Sequence, residues 1–255
     1  MPSAPVIDPP ALVAKFEELA ALRGFHIERF GEIAGCPLTA LTKPATEPAP
    51  HIYLSAGIHG DEPAPPLALF RMFERGFFDL RARWFLCPML NPAGFLRSTR
   101  ENAHGIDLNR DYRLARSAEI VAHIRWLQSQ PTFDLALCLH EDWEAKGTYL
   151  YELNPRNHPS LAEAIIVSIG KSHPIDLSEL IDGRPASGGI IRPDHDPTKR
   201  EAWPEAIYLR AHHTPLGYTI ETPSGFPLED RVNAHCIAIE TAVELYMDSL
   251  VSKRV

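Results

Sequence analysis

The 255-residue chain carries 33 acidic against 25 basic side chains, and its net charge of −8 argues against nucleic acid or an anionic membrane as the main partner. Its 45% hydrophobic and 23% charged content are those of an ordinary globular protein, long enough for one large domain with nothing that forces a second, so residues 1–255 read as a single domain. No apolar run is long enough to span a bilayer, and the amino terminus lacks the basic and apolar regions of a signal peptide, so a cytoplasmic location is expected.

Asp8 can cap a helix with Pro9 and Pro10 in its first turn, carrying an apolar stripe of Leu12, Phe16, Leu19 and Leu22 that ends at Gly24. Phe25 to Phe30 and Leu38 to Thr42 are β-rich around Gly31 and Gly35, which predicts a hairpin; a proline-rich loop from Lys43 to Pro50 follows. His51 to Gly57 is a strand that ends in polar residues, and Pro65 to Arg75 is a helix stopped by Gly76. Trp84 to Leu90 is a second strand, feeding a long polar segment from Asn91 to Tyr112; loops of that length usually serve a function.

Ser117 caps a predicted helix bearing Ile120, Val121, Ile124 and Leu127, which Pro131 stops. Phe133 to Leu139 is a buried strand with His140 at its end, Gly147 to Leu153 another strand, and Pro159 to Ile169 a helix. Asp176 to Arg200 reads as irregular, and Trp203 to Arg210 as a short helix. Gly217 to Glu221 is the last strand, before a closing helix through Val232, Cys236, Ile239, Val243, Met247 and Leu250. Cys36, Cys87, Cys138 and Cys236 lie scattered in apolar surroundings and read as buried free thiols. Strands alternating with helices predict an α/β domain with helices on both faces of a largely parallel sheet.

His59 and Glu62 stand at the spacing that lets an imidazole and a carboxylate face one metal ion. Alone the pair says little, because 12 His and 20 Glu in the chain produce about one such spacing by chance. Placement adds to it. Ligands bind at the carboxyl ends of strands in such sheets, and His59 with Glu62, His140 and Glu221 each end a separate strand. Two His and one carboxylate make the ligand set of a catalytic zinc site, which leaves Glu221 as the general base.

These residues resemble the M14 zinc carboxypeptidases. His59-Gly-Asp-Glu62 matches the family's His-x-x-Glu, Asn91-Pro-Ala-Gly94 its Asn-Pro-x-Gly, and Arg100 to Arg110 its Arg-x-Asn-x-x-Gly-Val-Asp-x-Asn-Arg, with Ile106 at the Val position. His140 matches the third ligand, and Glu221 matches the catalytic Glu. The likeness runs from about Tyr53 to Gly225. The short interval between Glu62 and His140 looks like the compact bacterial branch, such as the murein-tripeptide amidase group, and the same skeleton occurs in the succinylglutamate desuccinylase and aspartoacylase branch.

The resemblance implies a three-layer α/β/α carboxypeptidase-like fold and one zinc ion per chain on His59, Glu62 and His140. It implies that Arg100 stabilises the oxyanion, that Asn109 and Arg110 grip a substrate carboxylate, and that Asp107 orients His59. Arg184 stands where pancreatic-type enzymes carry a substrate-covering tyrosine, a departure that leaves open recognition of an acidic group, and Ile191 is expected near the side-chain pocket. His195, His212 and His213 read as surface residues, as do Arg97 and Arg113. Three functions remain open: a metallocarboxypeptidase that removes the carboxyl-terminal residue of a peptide, with a cell-wall peptide as one candidate, a deacylase of N-acyl amino acids, and an inactive zinc- or peptide-binding module. Glu221 and Arg100 count against the third, which has no chemical need of both.

Overall fold

The computed structural model describes residues 7–46, 48–194, 196 and 199–252. Its strands are β1 (His26–Ile33), β2 (Cys36–Lys43), β3 (His51–Ser55), β4 (Arg83–Cys87), β5 (Leu135–Asp142), β6 (Tyr149–Leu153), β7 (Leu180–Ile181), β8 (Arg184–Ser187), β9 (Ile190–Ile191) and β10 (Gly217–Pro223). They form one ten-stranded sheet in the order β1-β2-β4-β3-β5-β10-β6-β9-β8-β7. The central four, β4, β3, β5 and β10, are mutually parallel, while both flanks contain antiparallel pairs.

Seven helices join them among the described residues: α1 (Pro9–Leu22), α2 (Ala64–Glu74), α3 (Pro92–Phe95), α4 (Ala118–Gln128), α5 (Ala162–Ile169), α6 (Glu205–His212) and α7 (Leu228–Ser252). Alternation along the strands sorts the layers. Ile52, Leu54, Trp84, Leu86, Leu135, Leu137 and Ile220 point into a core with Phe16 of α1, Leu69 of α2, Ile165 of α5 and Ile239 of α7. Their neighbours Tyr53, Phe85, Cys87, Ala136 and Cys138 point the other way, onto Ile120 and Leu127 of α4 and Leu209 of α6. Each fully buried Leu, Ile or Phe contributes about 1.5–3 kcal/mol, so helices are held on both faces of the sheet. Among the described residues no helix is long and apolar enough to cross a membrane.

Local chemistry sets most boundaries. The Asp8 carboxylate accepts from the Ala11 N–H at 3.2 Å, and the Ser117 hydroxyl from the Ile120 N–H at 3.4 Å, so both predicted caps act as such. Ala34 and Gly35 both adopt positive φ (52° and 75°), the turn that matches the twist of the β1–β2 hairpin. The four cysteines are buried and unpaired.

Some expectations need correction. Leu22 is 77% exposed, because α1 buries the face carrying Leu12, Val13, Phe16 and Ala20, and Leu22 lies on the far side. Val121 is likewise exposed on α4. The stretch from Asp176 to Arg200 is not wholly irregular: β7, β8 and β9 extend the sheet past β6, with a tight turn at Asp182 and Gly183 (φ 48° and 65°) between β7 and β8. Two- to four-residue strands are too short to show a period of two. His213 is buried, stacked on Phe133 at 5.6 Å, whereas its neighbour His212 is exposed; His195 lies outside the described residues.

Candidate active site

Backbone locks fix the loops at the carboxyl ends of β3 and β4. Gly57, at φ 68°, lends its carbonyl to the N–H groups of Leu90 (3.1 Å) and Asn91 (2.8 Å). Asn91 caps α3 by accepting from the Gly94 N–H at 2.9 Å, and its amide donates to the carbonyls of Ile58 (3.1 Å) and Arg100 (3.2 Å). Gly60 sits so close to the Gly94–Phe95 backbone that a Cβ there would overlap it. The Asn-Pro-x-Gly motif is thus the brace of the His59 turn rather than part of its chemistry.

His59, Glu62 and His140 come together on that brace, 1%, 4% and 2% exposed, with one ligand atom from each lying within 4.8 Å of the others. Glu62 reaches both rings, Oε1 lying 2.5 Å from His59 Nδ1 and Oε2 3.1 Å from His140 Nδ1, and it accepts the Glu141 N–H at 3.0 Å. His59 turns its Nε2 to Asp107 Oδ1 at 3.1 Å. Asp107 also accepts from Arg100 Nε at 3.0 Å and from the Asn109 N–H at 2.9 Å. Arg100 Nη1 lies 3.5 Å from Glu62. Two imidazole nitrogens and one carboxylate, buried and convergent, fit a zinc ion.

Burial opposes charge throughout this cluster, and partners decide the balance. At His59 burial pulls the ring down, but the charge of Glu62 and the hydrogen bonds to Asp107 and Glu62 outweigh it and raise the ring to about 9. At His140 burial prevails and the ring is pushed down. Glu62 and Asp107 are both held well below the usual carboxylate range, since the histidines, joined at Asp107 by Arg100, overcome burial. Glu221, partly buried on β10, goes the other way: burial, then the charges of Glu62 and Asp142, push its carboxyl well above the usual range.

A cavity of about 460 Å³ opens over the cluster and is lined by Arg100, Asn109, Arg110, Arg184 and Glu221 along with His59, Glu62 and His140. Asn109 is 9% exposed, and its Oδ1 accepts the backbone N–H of Glu205 at 2.9 Å. Arg110 is exposed at the cavity lip and donates to the Asn109 carbonyl at 2.9 Å. Arg184, on β8, is partly exposed, 3.8 Å from Asp182. Asp107 is not itself a lining residue.

Other lining residues carry no motif. Arg200 is partly buried and donates to the Asp194 carbonyl at 2.9 Å; burial and then the nearby Arg184 lower its pKa. Tyr149 lies beside Glu221 in register and donates to Asp142 at 2.9 Å, and the 77%-exposed Trp143 forms part of the rim. Ile191 is buried against Tyr149 and Ile181 and does not reach the cavity, where Leu153 and Ile207 stand instead. Arg97 and Arg113 are exposed.

The solved structures with this fold include a candidate metallopeptidase of Shewanella amazonensis, 25% identical with a TM-score of 0.80, covering 92% of this chain and 91% of its own. A metallo-carboxypeptidase of Burkholderia cenocepacia is 18% identical with a TM-score of 0.71, over 93% of this chain and 68% of its own. Carboxypeptidase A of Helicoverpa armigera is 15% identical with a TM-score of 0.71, over 95% and 74%. The fold is therefore carboxypeptidase-like. A search of curated proteins finds no match. The family model for the succinylglutamate desuccinylase/aspartoacylase catalytic domain matches residues 48–187, which span β3 through β8 and with them the whole His59–Glu62–His140 cluster, and the chain belongs to that family.

Proposed function

We propose that this protein is a zinc-dependent hydrolase of the amide bond beside a free carboxylate, removing the carboxyl-terminal residue of a peptide. The observation that carries the reading is one cavity shared by the buried His59–Glu62–His140 cluster, Glu221, Arg100 and the Asn109–Arg110 pair. A zinc ion held by those three residues supplies a Lewis acid that polarises the scissile carbonyl and acidifies water. Asp107 accepts the Nε2 proton of His59, so Nδ1 is the nitrogen that would face a zinc ion once its own proton is given up. Glu221 takes the water's proton and passes it to the leaving amine. Arg100 donates to the oxygen on which charge develops. Arg110 and the Asn109 amide hold the carboxylate of the departing residue, a task that suits the planar guanidinium.

The second reading is a deacylase of N-acyl amino acids. It is favoured by the family match and by three guanidinium groups, Arg110, Arg184 and Arg200, around one cavity, where a second acidic group on the substrate would find a partner. Blocked dipeptides, cell-wall tripeptides and N-acyl amino acids, each as free acid and as amide, separate the two readings when assayed with and without added zinc. Cleavage of free-acid peptides supports the first; hydrolysis confined to N-acyl amino acids replaces it with the second. Equal rates on acid and amide overturn both.

A further inference from the structure

Glu205 is a buried carboxylate that the reaction above does not use. It is 1% exposed and does not line the cavity, yet the cavity wall is built on it, since Pro204, Ala206 and Ile207 on either side are lining residues. Its Oε1 accepts the Tyr53 hydroxyl at 2.6 Å and its Oε2 the Ser55 hydroxyl at 2.9 Å, both from β3. Tyr53 Oη is 3.1 Å from His123 Nε2, and His123 Nδ1 is 2.7 Å from Tyr112 Oη.

When Glu205 is ionised, one arrangement of protons satisfies this chain. The Tyr53 proton points at Glu205, so the Tyr53 oxygen accepts from His123 Nε2–H, and the bare Nδ1 accepts from Tyr112. Burial keeps His123 neutral, its pKa lowered to about 3, which agrees with a single ring proton. The hydrogen bonds therefore run in one direction from Tyr112 to Glu205.

The chain of contacts then closes. The Glu205 backbone N–H donates to Asn109 Oδ1 at 2.9 Å, the Tyr112 N–H donates to the Trp203 carbonyl at 3.3 Å, and Asp111 bridges Trp203. Asn109 and Tyr112 lie three residues apart, so the segment bearing Asn109 and Arg110 is fastened to the start of α6 twice. The start of α6 is in turn fastened to β3 by the Glu205 side chain. A backbone N–H can be met only by the amide oxygen, so the half of Asn109 left to face substrate is its NH2, a donor.

We propose that Glu205 is the positioning residue of the carboxylate clamp: it pins α6 to β3, and its backbone orients the Asn109 amide toward the substrate carboxylate. This rests on the clamp reading given above. Gln in its place keeps the shape but offers one acceptor oxygen, so one of the two hydroxyl bonds is lost or reversed and the hold on the first turn of α6 is expected to loosen.

The test compares free-acid and amidated forms of one blocked peptide on zinc-loaded parent, Glu205→Gln, Tyr53→Phe and Asn109→Ala, with metal content and kcat and KM measured separately. Both network variants should keep their metal and their rate on the amide, and lose about tenfold in kcat/KM on the free acid, chiefly through KM. Glu205→Gln added to Asn109→Ala should cost little more, because both act through one amide. An unchanged acid-over-amide preference in either metal-loaded variant overturns the proposal, as does an equal loss on both substrates, which marks a purely structural role. Tyr53→Phe gives the answer if Glu205→Gln does not fold. Failure of the clamp reading shows separately, as a parent enzyme with no preference for the free acid, and the proposal falls with it.

Discussion

Glu221 is paired with His140 in the register of the adjacent parallel strands β10 and β5. Their side chains therefore leave the sheet on the same face, and the distance between the proposed base and the proposed ligand is set by backbone pairing rather than by loop conformation. Glu221→Gln preserves that placement and removes only the ability to accept a proton. Turnover should fall by about 10²–10⁴-fold with metal content and thermal stability near the parent's. Activity within tenfold of the parent would assign the base elsewhere.

Metal content is the direct reading of the His59–Glu62–His140 cluster. A strong chelator should abolish activity and zinc should restore it. His140→Ala removes one of three donors and should leave the purified protein largely free of zinc. Full occupancy by elemental analysis in that variant would sink the assignment.

The two arginines are separable by substrate. Arg110→Ala should cut kcat/KM on the free acid by at least about tenfold and narrow the acid-over-amide preference. Arg100→Ala should depress kcat on acid and amide alike, because its proposed partner is the oxygen that gains charge in the transition state. Identical profiles for the two variants would contradict this division.

Gly60→Ala forces a Cβ into the Gly94–Phe95 backbone, where no flexible side chain can yield. We expect about 3 kcal/mol or more of destabilisation and loss of metal as the His59 turn is displaced. Gly225→Ala, where nothing lies within 4 Å and φ is not positive, is the matched control and should be nearly neutral in a thermal melt.

Glu205 has a pH signature. Burial raises its carboxyl to about 7, with the hydroxyls of Tyr53 and Ser55, the Cys138 thiol and the charge of His59 pulling it back. The folded value lies above the unfolded one, so its contribution is fully present below about 4.5 and is lost as pH rises through about 7. Melting temperatures of Glu205→Gln should therefore gain on the parent as pH goes from 5 to 8. Parallel curves would show that Glu205 does not titrate in this range.

Legibility of the sequence followed the range over which its signals act. Asp8 and Ser117 announce helices because a cap needs only neighbours three residues away. The convergence of His59, Glu62 and His140 was legible because strand ends deliver their residues to one edge whatever lies between. Glu205 was not: its partners Tyr53, Ser55 and Asn109 come from other elements, and a Glu after a Pro at a helix start looks like any first-turn acid. Leu22 misled because apolar spacing defines a stripe without saying where the stripe ends. β7 to β9 were hidden by their own brevity.

Those three short strands have a consequence for how the enzyme can change. Among the described residues they join the sheet at β6 alone, through β9, and their turn at Asp182 and Gly183 brings Asp182 and Arg184 to the cavity. The tip of the hairpin is therefore the part that can vary: changing its length at Asp182 and Gly183 is expected to retune which substrates enter, while Ile181 keeps its packing on Tyr149 beside Glu221. A directed library at the turn residues 182–184, leaving the buried Ile181 in place, is expected to alter selectivity at little expense in folding.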